Sequence, residues 1–277
     1  MTSTTIHAWV LEATNQLQKV DITSARLDAE LILAHTLRRP RTYLHAHGDQ
    51  MLDGRQEEIA YARLQLRRER TPVAYIIGHK EFYGRRFKTT PAALIPRPES
   101  EAMIELLRSL MPTTLPLIKE RKTLVDVGTG TGCLGITAKL EWPELDVTLT
   151  DISQHALNLA TQNSSLLDAK VRVHKGDLLR GYNIPIDIIL ANLPYVDRRW
   201  DVSPETHAEP DLALYASSDG LTLIRELINQ AAQLLAVGGA LLLESDERQH
   251  AAVIQICTAH GLKHETTQGL ITYFRRR

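Results

Sequence analysis

The chain has 277 residues, 43% apolar and 23% charged, with a formal net charge of −1. That length suits one large domain or two modest ones, each able to bury a core. The charge lacks the basic excess of a protein that grips nucleic acid along its length, and no run approaches the ~20 apolar residues of a membrane span.

Residues 1–75 predict a helical domain. TIHAWVLEATNQLQK carries Ile6, Trp9, Val10, Ala13 and Leu17 at helical spacing, and SARLDAELILAHTL repeats the pattern with Leu27, Leu31, Leu33 and Leu37. Ser24 is a candidate N-cap and Pro40 stops the second helix. A third helix, GRQEEIAYARLQLRRER, carries Arg63, Arg67, Arg68 and Arg70. Such a run is expected to be a solvated face. Residues 76–97 predict a β-hairpin connector, with Gly78 and Gly84 punctuating aromatic and β-branched residues. Pro98 then suits the first helical position, with Glu99 and Glu101 in the first turn. MPTTLPLIKERK reads as a loop.

Residues 98–277 predict the larger domain. TLVDVG, DVTLTDI, KVRVHKGD, IDIILAN and GGALLLES read as strands. CLGITAKLEW, QHALNLATQNSSLL (capped by Ser153), GLTLIRELINQAAQLL and ERQHAAVIQICTAH read as helices, and KHETT with LITYFR as a final strand pair. Such alternation indicates an α/β fold, a Rossmann-like, mostly parallel sheet with helices on both faces. Ligands on such sheets bind outside the carboxyl ends of the strands.

Two motifs share that edge. In DVGTGTGCLG, Gly128, Gly130 and Gly132 alternate with Thr129 and Thr131 between a strand and a helix. The loop lets a ligand approach the backbone, and the helix start presents unpaired N–H groups. Gly130, Gly132 and Gly135 also satisfy the dinucleotide fingerprint, with Asp151 at the spacing of its ribose-binding acid, so a nicotinamide oxidoreductase competes from this stretch alone. Asp126, at the end of the strand, would oppose a pyrophosphate and suit a cationic ligand. With Asp151 after the second strand, the pattern resembles the S-adenosylmethionine site of class I methyltransferases. Asp151 would then take the ribose hydroxyls, Asp177 the adenine amino group, and Leu178 would lie against the ring. As a structural alternative, Asp177 caps its loop.

The second motif is IILANLPY. A polar Asn192 ends an apolar strand and Leu193, Pro194 and Tyr195 follow. An Asx turn is one reading. The other is capture of an amide or amine for methylation. Asn192 Oδ1 and the Leu193 carbonyl would accept its two N–H groups, Pro194 would hold residue 193 extended, and Tyr195 would supply a flat wall. Catalysis would be alignment plus electrostatic stabilisation of a nitrogen turning positive, with no metal.

LIPRPESE, DVGTGTG, TDIS, NLPY and EPDLALYASSDGL, together with the hairpin YIIGHKEFYGRRF, resemble the HemK/PrmC family, the peptide chain release factor glutamine N5-methyltransferases. The resemblance covers essentially the whole chain. It implies S-adenosylmethionine as methyl donor, the glutamine of the Gly-Gly-Gln motif of class I release factors as substrate, and contact of the helical domain with the release factor. Asn192 and the carbonyl of residue 193 would hold the glutamine amide. The chain departs from the family's Asn-Pro-Pro-Tyr at Leu193, which keeps the carbonyl but loses a ring. Retained chemistry on a looser loop is expected. It also carries Asp246 where the family usually has glycine, lacks its usual glycine after Leu214, and lacks the polar residue often found after Gly269.

Three other readings stay open here: methylation of a ribosomal protein glutamine, methylation of a nucleic-acid amino group, and a non-catalytic cofactor binder. Retention of Asn192, Pro194 and Tyr195 argues against the last. A monomer without direct nucleic-acid or membrane contact is expected. MTSTTIHAWVLEATNQ lacks a basic n-region and an apolar core, so no secretory signal is expected. Cys133 and Cys257, far apart, suggest no disulfide framework or zinc spacing. They read as buried hydrophobes in a reducing, cytoplasmic compartment.

Overall fold

The computed structural model describes residues 4–111, 122–216 and 219–277. The loop expected over MPTTLPLIKERK lies, except for its end residues, outside them. So do Ser217 and Ser218. The chain divides into two compact units, Met1–His79 with Val202–Ala208, and Lys80–Asp201 with Glu209–Arg277.

The first unit is helical: α1 (Ile6–Gln18), α2 (Ala25–Leu37), α3 (Arg41–Ala46), α4 (Gly54–Arg68) and α5 (Val73–Ile77). The periodic residues Trp9, Leu17 and Leu33 meet Ile32 and Leu64 in its core. The α4 start is fixed by a capping box, in which Asp53 Oδ1 accepts from the Gln56 amide at 2.7 Å. The helices α3 and α5 are too short to show a period, so sequence pattern misses them. Pro40 precedes α3 as its N-cap residue, while α2 ends earlier, at a left-handed Arg38. Ser24 occupies the α2 N-cap position without capping the backbone, and its hydroxyl donates to Asp28 Oδ2 at 2.9 Å.

Asp28 explains a second departure from expectation. The arginine-rich face of α4 is not wholly solvated, because Arg67 is only 5% exposed. Its Nε donates to Asp28 Oδ2 at 2.7 Å and its Nη2 to Glu205 Oε1 at 3.0 Å. Arg70 also reaches Glu205 Oε1, at 3.1 Å. Burial of a guanidinium here is possible because two carboxylates receive it. Thus Glu205 fastens the segment Val202–Ala208 within the first unit.

The second unit opens with a hairpin, β1 (His79–Phe82) and β2 (Arg85–Lys88). His79 itself is grouped with the first unit. Tyr83 and Gly84 both take positive φ, 50° and 69°, the conformation of a two-residue type I′ turn. Phe82 and Phe87 are buried in the unit's core. A 3₁₀ turn at Pro98–Ser100 leads into α6 (Glu101–Leu110). Then come β3 (Thr123–Val127), α7 (Cys133–Glu141), β4 (Asp146–Asp151), α8 (Gln154–Leu166), β5 (Arg172–Lys175), β6 (Ile186–Ala191), α9 (Asp211–Leu214), α10 (Thr222–Leu234), β7 (Leu235–Glu244), α11 (His250–Ala259), β8 (Leu262–Gln268) and β9 (Ile271–Arg276).

The sheet order is β5-β4-β3-β6-β7-β9-β8, with β9 antiparallel to β7 and to β8 and all other pairs parallel. The central strands read as continuous apolar runs because both faces are covered. Leu124, Ile188 and Leu242 lie in one core and Val125, Ile189 and Leu241 in the other. From β3 the chain winds outward through β4 and β5, then returns to place β6 on the other side of β3. That reversal creates a crevice at the carboxyl ends of β3 and β6, where such sheets bind ligands.

Replacing Arg67 by alanine leaves Asp28 buried without its cation, and a loss of about 3–5 kcal/mol is expected. Urea denaturation measures it. The double change Arg67→Met with Asp28→Leu should cost less than Arg67→Ala alone.

Candidate active site at the switch point of the sheet

The glycine loop is built on a buried acid. Asp126, 1% exposed, points under the loop. Its Oδ2 accepts the Thr129 hydroxyl at 2.6 Å and the Gly135 amide at 2.9 Å. It is not among the residues that line the cavity, and its hydrogen bonds go to the loop. Burial raises its pKa to about 6, against the two hydrogen bonds, which lower it. Gly135 has no side chain because a Cβ there would meet Leu149 Cδ2 at 2.4 Å and Asp126 Cβ at 2.9 Å. It brings α7 close to the sheet. That role is shared by dinucleotide folds, so Gly135 does not discriminate between the two cofactors.

From this base the loop reaches the cavity. Gly128 and Gly130 line it, whereas Thr129, Thr131 and Gly132 do not. Thr129 is committed to Asp126 and to β4, its amide donating to the Thr150 carbonyl at 3.0 Å. The Thr131 carbonyl accepts from Asn163 Nδ2 at 2.9 Å. The Gly132 amide closes the loop onto the Thr129 carbonyl at 2.8 Å. Asn163, fully buried, also exchanges hydrogen bonds with both backbone groups of Lys88, so it joins the loop to the hairpin. Nothing in its helical surroundings QNSS singles it out by sequence.

Asp151 ends β4 and lines the cavity. Its Oδ2 accepts the Gly130 amide at 3.0 Å and its Oδ1 the Ser153 amide at 2.8 Å. Each oxygen retains a lone pair for a further donor. Burial raises its pKa and the backbone donors oppose that. Asp177 and Leu178 also line the cavity. Asp177 Oδ2 lies 3.1 Å from Arg180 Nη1, and the Asp177 carbonyl accepts the Arg180 amide, so the turn is closed by backbone while the side chain pairs with Arg180. Leu178 is 8% exposed and takes a positive φ of 54°. Ala93, Leu94, Ile152 and Leu193 extend an apolar wall, and the hydroxyl of Thr150 is buried there without a partner.

This donor set fits S-adenosylmethionine. An apolar slot suits a flat heterocycle, Asp151 suits vicinal hydroxyls, and Gly128 leaves room for close approach at a φ of +68°. The same Gly128 explains Leu193. A Cβ on Gly128 would lie 2.8 Å from Leu193 Cδ2. Leu193 is 3% exposed, so packing against the glycine holds the residue down where a second proline ring is missing.

Asn192, Leu193 and Pro194 line the cavity. Tyr195 is not among the lining residues. Its hydroxyl lies 3.3 Å from Glu244 Oε1, and burial, with that carboxylate, raises its pKa. Asn192 Nδ2 donates to Ser100 Oγ at 3.1 Å, and Ser100 Oγ donates to Glu244 Oε2 at 2.5 Å. Sequence reading missed Ser100 and Glu244. The available signal was a charged residue closing the apolar run LLLE at the carboxyl edge of the sheet. Nearby, buried Glu209 accepts the Ile95 amide at 3.0 Å and Arg97 Nη2 at 2.5 Å, tying the PRPE and EPD segments together. Asp246, at the family's glycine position, has φ −65° and caps a 3₁₀ turn, so no glycine is required. Gln249 of that turn donates to the Tyr195 carbonyl at 3.0 Å.

Comparisons with known proteins agree with this geometry. Residues 8–78 match the family model described as PrmC N-terminal domain, and residues 101–208 match the methyltransferase small domain. A relative from Deinococcus radiodurans, named release factor glutamine methyltransferase, is 37% identical over 86% of this chain and 84% of its own. One of the same name from Salmonella typhimurium is 32% identical over 95% of this chain and 98% of its own. A solved methyltransferase from Pyrococcus furiosus aligns with a TM-score of 0.53 at 16% identity, covering 78% of this chain and 97% of that one. The 16S rRNA N2 G1207 methyltransferase of T. thermophilus gives 0.53 at 16% identity, covering 72% and 50%. The fold is that of the class I S-adenosylmethionine-dependent methyltransferases. The chain belongs to the release factor glutamine methyltransferase family.

Asp126 binds its proton more tightly when folded than at the ordinary value of 3.8. Its contribution is therefore fully present below about pH 4 and is lost as pH rises through about 6. Asp126→Asn keeps an acceptor and cannot ionise. The variant is expected to gain on the wild type by on the order of 3 kcal/mol between pH 4 and pH 7, read from urea midpoints at the two pH values.

Proposed function

We propose that this chain methylates the side-chain amide nitrogen (N5) of the glutamine in the Gly-Gly-Gln motif of class I peptide chain release factors. The names of its relatives support the substrate. The observation that carries the chemistry is Asn192 at the cavity wall. Its nitrogen is occupied by Ser100, which leaves Oδ1 as the end available to a substrate.

S-adenosylmethionine, when bound, supplies an electrophilic methyl carbon on a sulfonium. Asp151 and the glycine loop would hold its nucleoside end, and Asp177 and Leu178 would meet its base. Asn192 Oδ1 and the Leu193 carbonyl accept the two N–H groups of the glutamine amide. That fixes the plane of the amide and directs the nitrogen lone pair along the line of transfer. An amide nitrogen is a weak nucleophile because its lone pair is delocalised. As the nitrogen–carbon bond forms, the carbon–sulfur bond of the donor breaks to leave a neutral thioether; the nitrogen turns positive, and the two oxygens stabilise the charge where it develops. The nitrogen then sheds one proton to water and amide resonance returns. Pro194 keeps residue 193 extended so that its carbonyl stays turned to the site. The helical unit serves recognition of the release factor, and the enzyme works as a cytoplasmic monomer.

Incubation of the enzyme with unmodified release factor and S-adenosylmethionine, followed by mass spectrometry of the Gly-Gly-Gln peptide, tests this. One added methyl on the glutamine is expected. Asn192→Ala should lower the rate about 100-fold or more with cofactor binding retained. A methyl on ribosomal protein or nucleic acid, and none on the release factor, would overturn the substrate. Asp151→Ala should instead weaken cofactor binding, measured by calorimetry, by about 10-fold or more, the loss of charge-assisted hydrogen bonds.

A further inference from the structure

We propose that Glu244 and Ser100 are positioning residues that decide which end of the Asn192 amide faces the substrate. The inference rests on the reading of Asn192 as acceptor for the glutamine amide.

The two ends of an asparagine amide have nearly the same shape and opposite hydrogen-bonding character. With Oδ1 toward the substrate, Asn192 accepts an N–H. With Nδ2 there, donor would meet donor. Shape does not choose between the two, so the neighbours must. Here each bond direction is forced. An ionised Glu244 can only accept, and its Oε2 takes the single hydrogen of the Ser100 hydroxyl at 2.5 Å. Ser100 Oγ then has only lone pairs left, and Asn192 answers with Nδ2 at 3.1 Å. Oδ1 remains for the cavity. Tyr195 gives Glu244 a further donor at 3.3 Å, and the Asn192 amide, turned the same way, also acts as a donor toward it.

The three residues come from separate segments: the turn before α6, the end of β6 and the end of β7. Ser100 is 2% and Glu244 1% exposed, which keeps solvent from supplying another partner. A buried carboxylate is costly, and usually has a cation beside it. Among the described ion pairs none includes Glu244. What it receives is hydroxyl and amide donors, all within reach of the reacting centre.

The titratable groups facing Glu244 are Glu99, Tyr195 and Cys133, and Arg97 and Asp246 act on Tyr195 beside it. Of these only Arg97 is positive, and it is paired with Glu209. Burial raises the Glu244 pKa, Glu99 adds to this, and the Ser100, Tyr195 and Asn192 donors oppose it. When the carboxyl is protonated it carries a donor as well as an acceptor, so it no longer forces the Ser100 hydrogen toward itself, and the Asn192 amide loses its fixed direction. Methyl transfer therefore rises with pH as Glu244 ionises.

The test is single-turnover methyl transfer to unmodified release factor by the full chain, at saturating cofactor and substrate, from pH 5 to pH 8. Glu244→Gln is nearly isosteric and no longer imposes a direction on the chain of hydrogen bonds. It should lower the rate about 10- to 100-fold, leave the cofactor Kd within about twofold, and remove the acid limb. Ser100→Ala should do the same. Tyr195→Phe, which keeps the ring, should move the acid limb to higher pH by removing one donor to the carboxylate. The inference is overturned if Glu244→Gln and Ser100→Ala keep the wild-type rate and limb while Asn192→Ala is inactive. In that case the reading of Asn192 stands. If Asn192→Ala itself keeps the wild-type rate, that reading fails and this one with it. Should Glu244→Gln fail to bind cofactor, the Tyr195→Phe profile decides, and an unshifted limb overturns the inference.

Discussion

The site hangs on a carboxylate that is committed to its own loop. Asp126 is buried beneath the glycine loop and holds Thr129 and Gly135 by one oxygen. A loop with this many glycines has much conformational freedom to lose. Two charge-assisted hydrogen bonds from the end of β3 fix its start and its exit into α7. With those ends set, the Gly130 amide meets Asp151, and Gly128 presents a bare face to Leu193. Leu193 in turn is the neighbour of Asn192. One buried acid thus fixes both halves of the cavity, because the carboxyl ends of β4 and β6 flank the strand that carries it.

Two buried acids stand at this edge of the sheet and they work differently. Burial raises the pKa of both Asp126 and Glu244. Asp126 receives a backbone amide and a hydroxyl from the loop, so its cost is set against local order. Glu244 receives Ser100 and Tyr195, side chains from segments far apart in sequence. Its hydrogen bonds order a junction between segments. Among the described ion pairs none includes Asp126 or Glu244, and the guanidinium close by, that of Arg97, is taken up by Glu209.

The sequence made the alternation of strands and helices plain because both faces of the sheet are covered, and buried strands read as unbroken apolar runs. The hairpin was legible through aromatic and β-branched residues punctuated by glycines, of which Gly84 takes the positive φ of the turn and Gly78 instead ends α5. Asp151 and Asn192 were legible because polar residues ending buried strands have few other reasons to be there. Asp126 was visible for the same reason, but its direction was not. Whether a carboxylate at a strand end faces the loop or the ligand depends on the side-chain rotamer and the path of the next turn. Arg67 was misread for a related reason. Helical spacing marks a polar face, and only the fold brings Asp28 and Glu205 to it. Ser100 and Asn163 were invisible, since each is defined by partners from distant segments.

Leu193 shows how chemistry and packing separate at one position. The proposed chemical contribution of residue 193 is its backbone carbonyl, which every residue carries. A proline ring would fix φ by covalent constraint. Leucine has no such constraint, yet its side chain is buried against a glycine that has no Cβ to refuse it. Burying a leucine contributes roughly 1.5–3 kcal/mol, which is comparable to the conformational entropy of one or two backbone residues. Packing can therefore hold the turn that the ring would otherwise stiffen. Pro194 still restricts residue 193 to extended backbone from the following side. The departure from the family pattern thus falls on the part of the residue that fills space, and leaves intact the atom to which the chemistry is assigned.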